Sequence, residues 1–249
     1  MHLFYSKIKA FNLNINTCTT AEFVTVIEKN IINRTITLQQ TGINAHAVVS
    51  VQHDKLMRKA INNSDLVNVD GLPVVWALNL LGYKGVIKAT CADIFENLLK
   101  LANDKGYKPF FLGSKPEIIK LTIKNLKEKY PKLQIAGYHH GYFNTDTTQD
   151  IANTIKDSKA DMLFLGISSP KKELFSTQYK EYMQVPYTLG VGGMFDIIAG
   201  KTKRAPLWMQ NLGLEWFYRF IQEPRRMWKR YLVGNSKFIW LVAKEKFGW

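Results

Sequence analysis

Short apolar segments recur along the first two hundred residues of the chain, separated by longer segments that we predict to be helical. The apolar segments lie at 35–43, 66–69, 108–113, 133–138, 161–166 and 187–193. Their mostly continuous apolar character is typical of strands buried on both faces. The pattern therefore predicts an α/β fold with a Rossmann-like, largely parallel sheet and helices on both faces.

Helix start signals follow four of the predicted strands. They are Asn44 as the cap of a helix through Asn62, Asp70-Gly71 before a helix from Leu72, a Ser114–Glu117 capping box before a helix to Tyr130, and Ser169-Pro170 as an N-cap followed by proline at the first helical position. In a parallel sheet, ligands bind at the carboxyl ends of the strands, where such turns gather. We therefore expect the functional site at this edge.

The predicted turns favour a diphosphate ligand over a dinucleotide or ATP. Helix N-termini present unpaired N–H groups, and several of them at one edge suit a diphosphate. No GxGxxG or GxxxxGK[ST] motif is present. A glycine in such a turn also serves the backbone alone, and Asp70 is equally suited to cap a helix or to accept a proton. The turn pattern leaves both roles open.

The histidine pattern does not predict a metal site. His46, His53, His139 and His140 do not have metal-ligand spacing, and we expect the adjacent His139 and His140 to point to opposite faces of an extended segment. Cys18 and Cys91 are too few for a disulfide framework, which fits a reducing cytoplasm. We expect neither a metal nor a cofactor.

Charge is concentrated in the last fifth of the chain. The formal net charge is +14, and residues 201–249 hold eleven Lys and Arg against three acidic residues, or 11 − 3 = +8. The same segment contains five of the six tryptophans. Basic and aromatic residues together are typical of a membrane interface. We therefore predict a main domain at 1–200 and a helical appendage at 201–249 that binds the membrane and completes the functional site of the main domain, and in which Arg226, Lys229 and Arg230 face solvent or lipid.

Other partners remain open at this point. The first fifteen residues contain no apolar run typical of a signal peptide, and no window approaches ~20 uncharged apolar residues, so we expect the chain not to span a membrane. A basic, aromatic chain also suits a nucleic-acid-binding protein, or an inactive adaptor that brings partners to the membrane. The sequence does not fix the oligomeric state and leaves a homo-oligomer open.

Six ordered motifs resemble those of the WecG/TagA/CpsF glycosyltransferases. They are TGINAHAVV (41–49), NSDLVNVDGLPVVW (63–76), FFLGSKPE (110–117), YPKLQIAGYHHGYF (130–143), DMLFLGISSPKKE (161–173) and the segment from GVGGMFDIIAGKTKRAP onward (190–231). The resemblance implies an inverting, metal-independent transferase at the inner face of the cytoplasmic membrane. It would move a sugar such as N-acetylmannosamine from a UDP-sugar donor to a sugar on a polyprenyl diphosphate, in the synthesis of teichoic acid or another surface polysaccharide.

The resemblance also implies roles for particular residues. Asp70 is the expected catalytic base, and Thr41 and Asn44 are expected to line the sugar pocket. The expected UDP-sugar contacts are Gly71, Lys88, Asp93, Gly113, Ser114, Gly166, Pro170, Lys172, Glu173, Gly190, Gly192, Gly193, Phe195 and Asp196. The expected diphosphate or membrane contacts are Arg204, Arg219, Arg225, Arg226 and Arg230. No Asp-x-Asp pair is present, so Lys, Arg and backbone amides are expected to balance the leaving-group charge.

Two positions depart from the family pattern. Lys172 stands where the family has glutamine, which leaves open an acidic or otherwise altered donor sugar. Lys88 stands where the family has arginine, and Cys91 takes the place of a glycine. Lysine keeps the positive charge at 88 but cannot supply the bidentate fork of a guanidinium.

Overall fold

A computed structural model describes residues 7–144 and 146–248 of the chain. Residues 1–6 of the opening segment and Trp249 lie outside the described residues. The strands are β1 Lys7–Ala10, β2 Leu13–Asn16, β3 Leu38–Ile43, β4 Leu66–Val69, β5 Pro109–Gly113, β6 Gly137–His139, β7 Met162–Gly166 and β8 Tyr187–Gly190.

Helices connect the strands and form the last fifth of the chain. They are α1 Thr20–Asn33, α2 Ala45–His53, α3 Lys55–Asn62, α4 Leu72–Leu80, α5 Cys91–Lys105, α6 Pro116–Lys129, α7 Thr148–Asp157, α8 Lys171–Met183, α9 Met194–Ile198, α10 Leu207–Asn211, α11 Glu215–Gln222, α12 Pro224–Trp228, a π-helical turn Lys229–Val233, and α13 Gly234–Phe247.

Six parallel strands form the central sheet, in the order β4-β3-β8-β7-β5-β6. Phe111 and Phe164 pack with α1, α5 and α6 on one face, while Phe110 and Leu163 pack with α7 and α8 on the other. Both faces are buried because side chains alternate along each strand. The predicted α/β class with helices on both faces is confirmed.

The middle of the sheet joins two parts of the chain that are distant in sequence. Strand β3 pairs with β4 on one side, and on the other side it pairs with β8, with Leu38 opposite Tyr187. Strands β7 and β8 are neighbours in both sequence and space. The β3–β8 pair is therefore the seam between an N-terminal and a C-terminal half of the sheet.

A short antiparallel hairpin precedes the sheet and was not predicted from the apolar pattern. Strands β1 and β2 pair from Lys7 opposite Asn16 to Ala10 opposite Leu13. The turn between them places Phe11 and Asn12 at positive φ, 54° and 61°. At four residues each, these strands are too short to give a strong period-two signal.

The helix predicted from Asn44 through Asn62 starts as expected but is divided into two. The helix predicted after Asn44 ends at His53 and a second begins at Lys55, because Asp54 is extended and its side chain accepts a hydrogen bond from the Met57 N–H. Asn44 does cap the first of the two, accepting from the Ala47 N–H at 3.1 Å.

The predicted Ser114–Glu117 capping box does not form. Ser114 has φ 57°, helix α6 begins at Pro116 after Lys115, and the Ser114 hydroxyl donates to Asp196 Oδ1 at 3.2 Å. The left-handed backbone carries Ser114 away from the helix axis, so its side chain crosses to α9.

Three other local predictions are also corrected. Ser169 does not cap α8: the helix begins at Lys171 with Pro170 as its N-cap, and the Ser169 hydroxyl donates to Glu173 Oε1 at 2.8 Å. The strand predicted at 133–138 is limited to Gly137–His139. His139 and His140 do not point apart, since the backbone leaves the strand after His139 and the two ring centroids lie 4.3 Å apart.

The last helix packs on the N-terminal part of the body. Phe238 and Val242 of α13 are buried in one cluster with Val48 and Val51 of α2. The Phe11 N–H of the hairpin donates to Glu245 Oε1 at 3.1 Å. The division into a domain at 1–200 and an appendage at 201–249 stays a prediction. None of the described helices is long and apolar enough to cross a bilayer.

Close approach of two strand ends predicts a sensitive position at Gly113. A Cβ at Gly113 would lie 2.5 Å from the Gly166 carbonyl carbon, and φ there is 154°. We expect Gly113→Ala to lower the free energy of unfolding by about 2 kcal/mol, since backbone atoms cannot move aside cheaply. Urea denaturation followed by circular dichroism measures this.

The matched control is Gly234→Ala in α13, where a Cβ meets no heavy atom within 4 Å. There the free energy of unfolding should stay constant or rise by up to about 1 kcal/mol, because alanine favours helix over glycine. Equal unfolding midpoints for the two variants would contradict the packing argument.

Candidate active site

A cleft of about 1350 Å³ opens at the carboxyl edge of the sheet. Residues that end or follow all six strands line it, and segments 213–219 and 226–235 of the last fifth of the chain form the opposite wall. The N-terminal residues of α4, α5 and α8 also reach it. The expected position of the site, at the strand ends, matches this cleft.

Asp70 lies at the floor of the cleft, directly after β4. Its backbone N–H donates to Ile43 O at 2.8 Å and its Oδ1 accepts from the Cys91 N–H at 3.0 Å. Burial raises the pKa of the Asp70 carboxyl, against the Cys91 hydrogen bond and the charge of Lys172, which lower it. A carboxyl with a raised pKa, in contact with a cleft, is suited to accept a proton.

No lysine or arginine of residues 7–144 and 146–248 forms an ion pair with Asp70 within 4.0 Å. Three of the other four carboxylates at the cleft do have such a partner: Glu173 pairs with Lys172 at 3.1 Å, Asp196 with Lys201 at 3.6 Å and Glu223 with Arg226 at 2.9 Å. Asp70 is therefore a carboxylate whose charge is not already neutralised by a direct cation.

Glycines at the end of β8 and in the turn that follows it leave room for cationic side chains in the cleft. Lys172 lies across Gly190, where a Cβ would be 2.5 Å from Lys172 Cδ. Arg219 lies against Gly193, and any Cβ there would overlap its guanidinium. Any larger residue at these two positions would displace the cations from the floor and wall of the cleft.

The cleft is rich in cations on both walls. Eight lysines and arginines line it against five acidic residues: Lys115, Lys171, Lys172, Lys201, Arg204, Arg219, Arg226 and Arg230, against Asp70, Glu173, Asp196, Glu215 and Glu223. Five of the eight cations come from residues 201–230. Helix N-termini add partial positive charge. The cleft is therefore suited to phosphorylated ligands.

Most of the residues predicted from the sequence meet in this cleft. Those that line it are Asn44, Asp70, Gly71, Ser114, Gly166, Lys172, Glu173, Gly190, Gly192, Gly193, Asp196, Arg204, Arg219, Arg226 and Arg230. Those that do not line it are Thr41, Lys88, Asp93, Gly113, Pro170, Phe195 and Arg225.

The residues outside the lining have identifiable surroundings. The Thr41 side chain lies on the face of β3 that packs against Ser64, not in the cleft. It is buried, and its hydroxyl lies 2.9 Å from that of Ser64. The expectation that Thr41 lines the pocket is therefore corrected. Phe195 is buried beneath Gly166, and Asp93 pairs with Arg204 at 2.5 Å. Phe195 and Asp93 therefore do not line the cleft but contact residues that do.

Arg230 also corrects an expectation. Its helical spacing predicted that it faces solvent or lipid with Arg226 and Lys229, whereas the resemblance also allowed a diphosphate contact. Arg230 lines the cleft, and the charge of Asp70 acts on its pKa. The π-helical turn Lys229–Val233 breaks the α-helical spacing on which that expectation was based. Lys229 is exposed, as expected.

Several lining residues were missed as site candidates, among them His46, Glu215 and Trp216. Burial and the charge of Arg230 lower the pKa of His46, and burial raises the pKa of Glu215. Trp216 lies beside Tyr231, with ring centroids 5.7 Å apart. A usable signal existed for Glu215, since it is one of only three acidic residues among eleven Lys and Arg.

Comparisons with known proteins agree with this geometry. The model of the Glycosyl transferase WecG/TagA/CpsF family matches residues 8–249. An N-acetylglucosaminyldiphosphoundecaprenol N-acetyl-beta-D-mannosaminyltransferase of Bacillus subtilis (strain 168) is 33% identical over 224 residues, 90% of this chain and 86% of that protein. A protein of the same name from Bacillus spizizenii is 32% identical over 75% of this chain and 71% of its own length. This chain belongs to the WecG/TagA/CpsF family and is a glycosyltransferase.

Proposed function

We propose that the protein transfers a sugar such as N-acetylmannosamine from a UDP-sugar to a sugar carried on a polyprenyl diphosphate, with inversion and without a metal ion. The acceptor and the transferred group are taken from the names of the two Bacillus relatives, which specify an N-acetylglucosaminyl-diphosphoundecaprenol acceptor and an N-acetylmannosaminyl group. The UDP donor is what the family resemblance implies. The product would enter teichoic acid or another surface polysaccharide. Membership of a glycosyltransferase family removes the reason to prefer a nucleic-acid-binding protein or an inactive adaptor.

One observation carries the mechanism: Asp70 is an unpaired carboxylate at the floor of a cleft otherwise rich in cations. In the proposed reaction, Asp70 takes the proton of an acceptor hydroxyl as that oxygen attacks the anomeric carbon. The bond between the anomeric carbon and the UDP oxygen breaks on the opposite face. A single displacement of this kind inverts the anomeric centre.

Charge on the departing UDP is proposed to be balanced by side chains and helix N-termini. Arg219, Arg226 and Arg230 stand on the wall opposite the strand ends. Among the described residues, no group of three His, Cys, Asp or Glu side chains is arranged to hold a metal ion. Preorganised cations in a cleft of low dielectric can supply the same stabilisation.

The size of the cleft supports two substrates. Its volume of about 1350 Å³ exceeds the ~300–1,000 Å³ of a typical small-molecule pocket. A nucleotide sugar and the sugar diphosphate end of an acceptor must both fit for direct transfer. The two walls, one from the strand ends and one from residues 213–235, offer a surface for each.

The pairing of Lys172 favours a neutral donor sugar over an acidic one. Its Nζ lies 3.1 Å from Glu173 Oε1, and both side chains are largely buried. The pair has no net charge, so a carboxylate on the donor sugar would gain little attraction and would meet Glu173 as a like charge. Glu173 therefore already neutralises Lys172, the residue that stands where the family has glutamine.

Membrane contact is proposed for the outer surface of the last fifth of the chain, at the inner face of the cytoplasmic membrane. Trp208, Trp228 and Trp240 are 61%, 46% and 59% exposed. Lys229 Nζ lies 5.4 Å from the Trp228 ring centroid, and Lys244 Nζ lies 5.3 Å from that of Trp240. Exposed rings beside lysines match the chemistry of an anionic bilayer surface.

The first prediction tests the base. Asp70→Asn keeps the size of the side chain but removes proton acceptance, so we expect transfer to fall by about 10²–10⁴-fold. Release of UDP from UDP-N-acetylmannosamine in the presence of a short-chain prenyl-diphosphate-linked N-acetylglucosamine measures this. UDP binding by calorimetry should stay close to that of the unaltered chain. Full turnover by the Asn variant would remove Asp70 from the mechanism.

The second prediction concerns metal ions. Turnover in excess EDTA should stay within about twofold of the untreated rate, because cations of the protein balance the diphosphate. The control is the same assay with added Mg²⁺ or Mn²⁺. Loss of turnover in EDTA that either ion restores would show that the transfer needs a metal.

The third prediction tests the membrane surface. Trp228→Ser combined with Trp240→Ser should reduce co-sedimentation with anionic liposomes, since both rings are exposed next to lysines. The matched control is Ile32→Ser with Leu56→Ser, two body residues that are 64% and 66% exposed. Equal sedimentation of the two double variants would rule out the assigned surface.

A further inference from the structure

A chain of buried amide and hydroxyl groups runs through the sheet behind Asp70. The Tyr187 hydroxyl donates to Gln40 Oε1 at 2.6 Å, and Gln40 Nε2 donates to Asn68 Oδ1 at 3.0 Å. Asn68 Nδ2 then donates to Ala89 O at 2.6 Å. Tyr187, Gln40 and Asn68 are each at most 1% exposed. The three residues lie on adjacent strands, β8, β3 and β4, and point to the same face.

This chain fixes the orientation of the Asn68 amide. Its oxygen accepts from Gln40, so its NH₂ group must point to the turn that precedes α5. There it donates to Ala89 O and approaches Cys91 Sγ at 3.6 Å. A buried amide with both ends satisfied holds its neighbours firmly, because any displacement would leave a buried polar group unpaired.

The turn held by Asn68 carries the only described backbone donor to the base. The Ala89 N–H bonds to Val69 O at 3.0 Å, and two residues later the Cys91 N–H donates to Asp70 Oδ1 at 3.0 Å. Gly42 leaves the necessary space, since a Cβ there would overlap Cys91 Sγ and lie 3.0 Å from Asp70 Cβ. The packing at Gly42 therefore fixes the position of this turn relative to Asp70.

We propose that Asn68 is a positioning residue of the transfer reaction: by holding the carbonyl of Ala89 it keeps the Cys91 N–H on Asp70 and so fixes the orientation of the carboxylate base. The inference rests on the proposed role of Asp70. Neither the cleft lining nor the resemblance assigns a role to Asn68, which is fully buried behind the site.

Loss of this support should shift the pH dependence of kcat in one direction. The Cys91 N–H favours the ionised carboxylate, so its loss raises the pKa of Asp70. The base is active when ionised, and the acidic limb of the kcat profile should then move to higher pH. None of the variants below substitutes the other charged groups that act on Asp70: Lys172 of α8, Arg230 of the π-helical turn, Asp93 of α5 and Glu215 of α11.

The first pair of variants removes the Asn68 amide. Asn68→Ala should lower kcat at least about tenfold, leave KM for UDP-N-acetylmannosamine within about twofold, and move the acidic limb upward. The control is Gln39→Ala, which deletes a buried amide from the other face of β3, where Gln39 bonds Ser64 and Thr177. It should lose comparable stability without any shift of the acidic limb.

A second pair tests the N–H directly and does not depend on the fold tolerating the loss of Asn68. Cys91 is the first residue of α5, and Thr90 before it is extended, with ψ 147°. Proline is well tolerated as the first residue of a helix and after a residue in an extended conformation. Cys91→Pro removes thiol and N–H, whereas Cys91→Ala removes the thiol alone. The acidic limb should move upward for the proline variant and stay in place for the alanine variant.

The outcomes separate the inference from the function on which it rests. Full turnover by Asp70→Asn would overturn the base itself. An inactive Asp70→Asn together with an Asn68→Ala variant whose kcat and acidic limb match the unaltered chain would overturn only the role of Asn68. Equal limbs for Cys91→Pro and Cys91→Ala, or an equal shift in Gln39→Ala, would do the same.

Discussion

Burial of both faces of the parallel sheet is the constraint on which the rest of the structure depends. With helices packed on each face, the only wide polar opening along the strands is at their ends. The carboxyl edge accordingly gathers the turns after all six strands, together with the helix N-termini of α4, α5 and α8. In the proposed reaction a base, a set of cations and two substrates share this edge, and close packing there explains why several of its positions are glycine.

The sequence predicted the sheet well and the individual helix starts less well. Continuous apolar segments such as LVNV and DMLFLG can be recognised as strands because few other structures bury both faces. Ser114 and Ser169, in contrast, match the helix start pattern but use their hydroxyls elsewhere, on Asp196 and Glu173. A short polar side chain has several partners within reach, and only the tertiary fold selects one.

The candidate site was predictable to the extent that family motifs mark residues at strand ends. Motif membership did not reveal which face of a strand a residue occupies, and Thr41 belongs to the first motif yet points away from the cleft. Nor did spacing reveal that Arg230 turns inward, because a π-helical turn leaves no clear mark in the sequence. Asn68 escaped notice for a related reason: a buried asparagine in an apolar strand gains meaning only from its partners.

The seam between β3 and β8 has a consequence for how the chain folds. Strands β3 and β4 can pair through local segments, and so can β7 and β8, but Leu38 and Tyr187 meet only after a long loop has closed. Closure of such loops slows folding, and until it happens each half sheet exposes an unpaired, apolar edge. Before the seam forms, the Tyr187 hydroxyl has no Gln40 to bond. We therefore expect intermolecular strand pairing to compete with seam formation and to lower the yield of folded enzyme at high protein concentration.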